Sequence, residues 1–362
     1  MKSLIRLATI AAVVAGGGFF SAAPAVSASP TAVEKLYQDL VKLDPQARTR
    51  KLIEGAAKEG ELNLVMTIRD KLGRDHTALF AKAYPMFKVK AVEKGSQDAS
   101  ENIIIEATAK RYLSDITNLA IPDLTRIVDM DYAARYPSPA TDKIFPQYRS
   151  FLDPEARWFP WYWSENGLIY NTNLVSADKA PKDYFDLCRP EFKGQVGMEP
   201  ANVRFLVGMY KLLGDEKLRA WMECMGKNNP LVTANHSVRL QLMLAGDYML
   251  DAGNYLYRGT QMKQENPAKV PFAADYDVPV FGYGGAWVIG ENAPHPHAAA
   301  LLADWSLTDE SQDYMAANFR SPLTRKHPFM PDNAQLMMYG MESPEIVDRI
   351  MNYWKEYVGK KG

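Results

Sequence analysis

Four polar side chains stand within five consecutive positions of this sequence of 362 residues: Asn254, Tyr255, Tyr257 and Arg258. Amide, phenol and guanidinium groups can hydrogen-bond an anion, coordinate a hard metal or stack on an aromatic ring. A helix that stops at Gly246 and a short apolar strand at 248–250 are predicted just before them, and open α/β sheets bind ligands beyond the C-terminal ends of their strands. The window therefore predicts a ligand contact, although the same side chains are also typical of the edge of a core.

Polar residues also fall where two further helices are predicted to begin. Ser96 and Gln97 lie in a loop that follows a predicted strand, and Asn202 and Arg204 lie in a turn that follows another. The free N–H groups at the start of a helix favour negative charge. These four residues therefore join the candidate ligand contacts.

Three arginines could each bind an anion through a bidentate fork: Arg69, Arg204 and Arg258. Each of them alone is equally consistent with a solvated surface charge. We expect one or two of the three to reach a carboxylate, phosphate or phosphonate group of the ligand.

Asn118, Trp163 and Tyr283 complete the candidate ligand-binding residues. Asn118 ends a predicted short strand. Trp163 belongs to an aromatic cluster at 158–163, most of which we expect to pack internally, while one ring is free to stack on a ligand ring or ammonium group. Tyr283 stands among glycines that allow close backbone approach.

The elements that must position these residues alternate between strand and helix. Strands are predicted at 61–68, 87–92 and 114–118 with helices between them, which is the pattern of a parallel α/β sheet. A second alternation begins with a strand at 194–198. Because the chain returns late to the first alternation, we predict two lobes, formed by 29–165 with about 280–325 and by 166–279 with about 326–362.

The first 28 residues have the pattern of a secretory signal peptide. Lys2 and Arg6 precede an apolar run, and Val26-Ser27-Ala28 is typical of a cleavage site. Removal of 1–28 leaves 40 basic and 43 acidic residues, a net charge of −3. This balance excludes a nucleic-acid footprint or a polybasic membrane binder, and the signal peptide predicts an exported, periplasmic protein. In that oxidising compartment Cys188 and Cys224 are either a disulfide or two buried free thiols.

Catalytic motifs are absent from the sequence. No Gly-x-Ser-x-Gly, His-Glu-x-x-His, Walker loop or Rossmann glycine pattern occurs. The pair His295 and His297 is better explained by helix capping or surface exposure than by a metal. We therefore expect a protein that is not an enzyme.

Several segments, taken in order, resemble one family. They read LIEGAAKEGELNLV at 52–65, NGLIYNTNLV at 166–175, FKGQVGM at 192–198, VFGYGGAWV at 280–288, APHPHAAA at 293–300 and RSPLTRK at 320–326. Together they resemble bacterial extracellular, periplasmic solute-binding proteins of ABC importers that have the type II fold, in the ferric-iron-binding branch.

The resemblance implies two α/β lobes, hinge crossovers and a ligand cleft between the lobes, which close on one small ligand. It also implies a monomer that delivers its ligand to an inner-membrane ABC permease and carries no cofactor. Delivery to a membrane histidine kinase, in a sensor complex, is the alternative partner.

Iron-binding relatives hold Fe(III) with two adjacent tyrosines after an Asn, often helped by a His and a carboxylate. Here Tyr255 matches the first tyrosine, but Leu256 stands in the second place and Tyr257 comes one residue late. The carboxylate position falls near Leu119 and Ala120, which cannot coordinate a metal. We therefore predict a small polar, anionic organic ligand of the phosphonate, sugar phosphate or carboxylate type. Transported Fe(III) held by Tyr255 and Tyr257 is the alternative.

Overall fold

A computed structural model of the chain describes residues 29–327, 329–338 and 342–359. The predicted signal peptide at 1–28 and the side chain of Tyr283 lie outside the described residues. The residues from Thr31 onward form one compact unit. Within the described part, no helix is long and apolar enough to cross a membrane.

The described residues contain ten β-strands and twelve α-helices. The strands are β1 (Glu61–Met66), β2 (Lys88–Glu93), β3 (Ile116–Ala120), β4 (Phe159–Asn171), β5 (Val196–Met198), β6 (Leu231–Val232), β7 (Leu250–Tyr255), β8 (Phe272–Asp275), β9 (Val280–Ile289) and β10 (Leu336–Met338). The helices are α1 (Ala32–Leu40), α2 (Pro45–Glu59), α3 (Lys71–Ala83), α4 (Ser96–Thr108), α5 (Thr125–Asp129), α6 (Val203–Leu213), α7 (Asp215–Asn228), α8 (His236–Ala245), α9 (Leu256–Glu265), α10 (Pro296–Trp305), α11 (Asp309–Ala317) and α12 (Pro344–Tyr357). The predicted α/β class is confirmed.

Local chemistry explains several helix ends. Thr31 and Glu34 form a capping box at the start of α1, and Asp44 caps α2, whose first residue is a proline. Gly60 ends α2 with φ of 76°, which favours glycine. The start of α10 is capped by Glu59, whose carboxylate accepts from the backbone N–H groups of His297 and Ala298 at 3.0 and 2.9 Å.

One sheet runs through the molecule in the order β2-β1-β3-β9-β4-β7-β5-β6, with β10 paired to β9 and β8 to β4. The pairs β1–β2, β1–β3, β5–β6 and β5–β7 are parallel, as the two strand–helix alternations predict. The central pairs β3–β9, β4–β9 and β4–β7 are antiparallel. The two parallel regions are therefore joined by β4 and β9.

Buried apolar residues gather on both sides of these crossover strands. One core draws on residues between 33 and 163 and between 286 and 323. Two adjoining cores draw on residues between 168 and 281 and between 350 and 358. Every residue of β4 is buried, so this crossover strand is shielded from solvent.

The strand before the Asn254–Arg258 window lies later than the sequence pattern predicts. It is β7, which begins at Leu250 and ends at Tyr255, because the pairing with β4 continues past a register shift near Gly253. Gly253 has φ of 77°, and a Cβ there would meet the ring of Phe205 at 2.6 Å. Asn254 and Tyr255 are therefore strand residues, and Tyr257 and Arg258 lie in the first turn of α9.

A disulfide joins Cys188 and Cys224, whose Cα atoms are 6.0 Å apart. Cys188 ends a 3₁₀-helix at Tyr184–Cys188, and Cys224 lies on α7. The bond therefore attaches the chain before β5 to the helix that follows α6.

Candidate functional site

A cleft of about 640 Å³ is lined by residues from the two parts of the molecule that β4 and β9 connect. One wall is formed by Gln97, Pro122 and Asp123, next to the first core. The other wall is formed by the remaining lining residues, from Glu199 to Val347. The lining residues are Gln97, Pro122, Asp123, Glu199, Pro200, Ala201, Asn202, Val203, Arg204, Val207, His236, Tyr255, Glu342 and Val347.

Four helices begin at this cleft. Gln97 is the second residue of α4, Val203 and His236 are the first residues of α6 and α8, and Tyr255 immediately precedes α9. All four helices are ten residues or longer, and their first N–H groups carry partial positive charge. The backbone therefore makes the cleft favourable for an anion on both walls.

Charged side chains of the lining are paired with opposite charges. Arg204 Nη2 lies 3.8 Å from Asp123 Oδ2, across the two walls. Lys211 Nζ lies 2.7 Å from Glu342 Oε1, and Arg239 Nη2 lies 4.0 Å from Glu199 Oε2. The three carboxylates of the lining thus each have a cation within 4 Å.

Asn202 organises the turn before α6. Its Oδ1 accepts from the N–H of Phe205 at 3.2 Å, which caps the helix. Its Nδ2 lies within hydrogen-bond distance of Glu199 Oε2 at 3.2 Å and of the Gly253 carbonyl at 3.3 Å. The cap therefore ties the turn to β7 beside Tyr255.

A buried polar network supports the end of β7. Asn254 Nδ2 contacts Asp251 Oδ2 at 2.9 Å and the carbonyl of His236 at 3.1 Å, while its Oδ1 accepts from the N–H of Tyr255 at 2.8 Å. Arg239 Nε lies 3.4 Å from Asp251 Oδ2, and both side chains are fully buried. Burial raises the pKa of Asp251 to about 6. Asn254 thus positions two lining residues without reaching the cleft itself.

Two tyrosines, a histidine and an arginine form a cluster that begins in the cleft lining with His236 and Tyr255. The ring centroid of Tyr255 lies 4.9 Å from His236 and 5.9 Å from Tyr257. The guanidinium carbon of Arg320 lies 3.6 Å from the centroid of the Tyr257 ring. Burial, Arg239 and Arg320 lower the pKa of His236, so its imidazole is neutral at pH 7.

Residues 122–343, more than half of the chain, match the family model of bacterial extracellular solute-binding proteins. The chain belongs to that family. A relative, the Fe(3+)-binding periplasmic protein of Serratia marcescens, is 25% identical over 150 residues, which are 41% of this chain and 40% of that protein. The alignment thus spans about two fifths of that relative's length.

Solved structures of similar fold include iron-bound HitA from Pseudomonas aeruginosa, with a TM-score of 0.66 and 16% identity over 82% of this chain and 99% of that one. AfuA from Actinobacillus pleuropneumoniae, with exogenous fructose-6-phosphate bound, has a TM-score of 0.66 and 16% identity over 83% and 99%. Trichodesmium IdiA (FutA) in complex with iron and citrate has a TM-score of 0.67 and 16% identity over 83% and 100%. These relatives confirm the predicted two-lobed type II fold with its interlobe cleft.

Of the residues that the sequence nominated, the solute-binding fold brings four to the cleft lining: Gln97, Asn202, Arg204 and Tyr255. Tyr257 lies next to Tyr255 but lines a separate small cavity with Glu165 and His327. Ser96 begins α4, where its Oγ accepts from the N–H of Ala120 at 3.0 Å.

The other candidates lie away from the lining. Asn118 is fully buried, accepts from Thr67 Oγ1 at 2.9 Å and donates to the carbonyl of Ala286 at 3.2 Å. Trp163 is fully buried with its ring 4.6 Å from that of Phe151, because β4 is covered on both faces. Arg69 and Arg258 are exposed, and Arg258 donates to Gln261 at 2.8 Å. These four residues are thus placed by the core or by solvent.

Sequence reasoning missed five residues at or beside the cleft: Asp123, Glu199, His236, Arg320 and Glu342. His236 had a usable signal, because Asn235 before it caps α8 through the N–H groups of Ser237 and Val238. Glu199 directly follows β5 and Asp123 closely follows β3, so strand ends place these two, whereas Arg320 and Glu342 reach the site only through long-range packing. Among the described residues, no group of three or more His, Cys, Asp or Glu could hold a metal ion.

Proposed function

We propose that this protein is the periplasmic binding component of an ABC importer and captures a small polar, anionic organic ligand. The observation that carries the proposal is the convergence of four helix starts on one cleft, together with Arg204. A phosphonate, sugar phosphate or carboxylate would accept from backbone N–H groups and from the guanidinium.

Closure of two lobes is part of the proposal, with lobes at 29–165 with about 280–325 and at 166–279 with about 326–362. Support comes from the lining, because Gln97 and Asp123 approach from one side and Arg204 and Tyr255 from the other. An anion held between them would contact both sides and favour the closed form.

The carboxylates of the lining do not oppose an anion as strongly as their number implies. Asp123, Glu199 and Glu342 each have a cation within 4 Å. An incoming anion can replace Asp123 as the partner of Arg204, since that pair is separated by 3.8 Å.

A thermal-shift screen of the mature protein tests the proposal. The probes are inorganic phosphate, fructose 6-phosphate, a phosphonate, citrate, simple amines and ferric salts. A ligand at a hundred times its Kd stabilises the folded protein by about 2.7 kcal/mol, which is readily measured. We expect at least one anion to raise the melting temperature, less so in Arg204→Gln and equally in the exposed control Arg258→Gln. A rise in melting temperature with amines or neutral solutes alone would contradict the proposal that the ligand is anionic.

Transported Fe(III) is a second candidate, supported by the phenol of Tyr255 and by Tyr257 with its ring 5.9 Å away. Phenolate oxygen suits a hard trivalent ion. Two positive charges oppose it electrostatically, because Arg204 lines the same cleft as Tyr255 and Arg320 lies over the ring of Tyr257. A phenolate-to-iron absorption band that disappears in Tyr255→Phe would favour iron over an organic anion.

We further propose that the protein is a monomer, is exported by its signal peptide, has no enzymatic activity, and delivers its ligand to an inner-membrane permease. The alternative recipient is a membrane histidine kinase. Neighbouring permease and ATPase genes would support import, and a neighbouring kinase gene alone would support sensing. Turnover of any ligand that binds would contradict the absence of enzymatic activity.

A further inference from the structure

Arg320 is a buried cation that has no anionic partner among the described residues. The residue is only 9% exposed. Within the described chain its guanidinium donates no hydrogen bond and lies within 4 Å of no carboxylate. The guanidinium group instead makes a cation–π contact with Tyr257, with the guanidinium carbon 3.6 Å from the ring centroid.

A guanidinium group has five N–H donors, and stacking on a ring satisfies none of them. No nitrogen of Arg320 is among the fully buried atoms that lack a partner in the described residues, so these donors keep access to solvent. The carboxyl group of Glu165, on which the charge of Arg320 acts, accepts a hydrogen bond from Ser321 instead. The edge of the guanidinium therefore remains available to an acceptor from outside the chain.

The backbone holds Arg320 in a fixed place. Phe319 before it has φ of 59°, a region that a bulky residue rarely adopts. The N–H of Arg320 donates to Met315 at 2.9 Å, and Ser321 after it exchanges two backbone hydrogen bonds of 3.0 Å with Trp163 on β4. The positive φ of Phe319 and the hydrogen bond from Arg320 to the Met315 carbonyl form a Schellman motif that ends α11, so the backbone of Arg320 is fixed between this helix end and β4.

Arg320 also lies where the two sides of the molecule meet. Met315 and Leu323, on either side of it in sequence, pack in the first core, whereas Leu256 beside Tyr257 packs in another. Its charge acts on His236, which lines the cleft, and on Tyr162. An acceptor held by Arg320 would therefore lie next to Tyr257 and near elements of both cores.

We propose that Arg320 binds the oxyanion group of the captured ligand at the Tyr255–Tyr257 end of the cleft, with Tyr257 supporting the guanidinium. This assignment rests on the proposed function and deepens it. The ligand class is an oxyanion, carboxylate, phosphate or phosphonate, which is either part of an organic molecule or a free anion. Arg204 then serves the opposite part of the ligand, beside the start of α6.

Calorimetric titration of the mature protein with inorganic phosphate, fructose 6-phosphate, a phosphonate and citrate tests the assignment. We expect Arg320→Gln to weaken binding of the best probe at least tenfold and Arg320→Lys to weaken it less, because the charge remains but the fork is lost. Arg258→Gln is the matched control and should bind normally. Preference for fructose 6-phosphate over inorganic phosphate identifies an organic ligand, and equal affinity identifies a free anion.

A second measurement tests the assignment even if the Arg320→Gln variant does not fold. The NMR signal of the Arg320 Nε–H group in the native protein, assigned by its absence in Arg320→Lys, should shift when the best probe is added. Normal binding by a folded Arg320→Gln variant, or an Arg320 signal that does not shift at saturation, would overturn the assignment. The proposal that the protein binds an anionic ligand would not be affected. If the native protein binds none of the four anions, the proposed function fails and the assignment fails with it.

Discussion

Tyr255 and Tyr257 have rings 5.9 Å apart but different surroundings. Tyr255 lines the cleft beside His236, whereas Tyr257 is stacked under Arg320 and lines the small cavity that contains Glu165. Their hydroxyl groups should therefore contribute unequally to ligand binding.

We expect Tyr255→Phe to weaken binding of the best anionic probe about fivefold, because loss of one hydrogen bond costs about 1 kcal/mol. The matched variant Tyr257→Phe keeps the ring on which Arg320 stacks and should change the affinity less than about twofold. Titration calorimetry measures both. Equal losses in the two variants would mean that both hydroxyls contact the ligand.

Glu165 is a buried carboxyl group on the crossover strand β4. It is 3% exposed, and burial raises its pKa to about 7 from the ordinary 4.5. The folded state holds this proton more tightly than the unfolded chain does. The contribution of the protonated Glu165 carboxyl to the free energy of unfolding is therefore fully present below pH 4.5 and is lost as the pH rises through about 7.

Glu165→Gln remains neutral at every pH. We therefore expect its free energy of unfolding, relative to the native protein, to increase between about pH 4.5 and 7 and to level off above that, by up to about 3 kcal/mol. Urea unfolding across this range measures the difference. The control Glu155→Gln, at an exposed position, should show no such trend. A constant difference for Glu165→Gln would show that the carboxyl titrates normally.

The part of the site that could be predicted from sequence is the part placed by local structure. Gln97, Asn202 and Tyr255 each lie where a strand gives way to the next helix, so the strand–helix alternation brings them to one edge. Arg320 and Glu342 are far from them in sequence, and only packing brings them near. Asn118 shows the converse error, because its polar side chain is satisfied inside the core by Thr67 and Ala286.

Among the elements, the parallel strands were predictable and the antiparallel centre was not. The first alternation gives β1, β2 and β3 from periodicity alone. The pairing of β4 with β9 and β7 joins residues eighty or more positions apart, for which a single sequence carries no local signal. The same long-range pairing extends β7 to Tyr255.

Gly253 permits that extension, and its substitution should be costly. Gly253→Ala places a Cβ 2.6 Å from the Phe205 ring at φ of 77°, whereas Gly194→Ala has φ of 71° and nothing within 4 Å. We expect a loss of about 1 kcal/mol for Gly194→Ala from the backbone alone and about 1–3 kcal/mol more for Gly253→Ala. Urea unfolding of the two variants isolates the contact. Equal losses would show that Phe205 moves aside without cost.

At the scale of the whole molecule, the cleft is walled by residues from both sides of the sheet, and β4 and β9 connect those sides. We expect a saturating anion that raises the melting temperature to reduce the radius of gyration, because it contacts both walls. Small-angle X-ray scattering with and without the anion measures the change. Arg204→Gln at the same anion concentration is the control. An unchanged radius at saturation would show that binding occurs without closure.

Part of the cleft wall is formed by Val347 on α12 and by Glu342 just before that helix. That wall makes α12 a suitable place for an optical reporter of ligand capture. Because Cys188 and Cys224 are bonded to each other, a cysteine introduced by Asp348→Cys on the exposed face of α12 would be the one reactive thiol for a dye. A labelled protein of this kind would convert occupancy of the cleft into fluorescence and could screen solutes whose identity is unknown in advance.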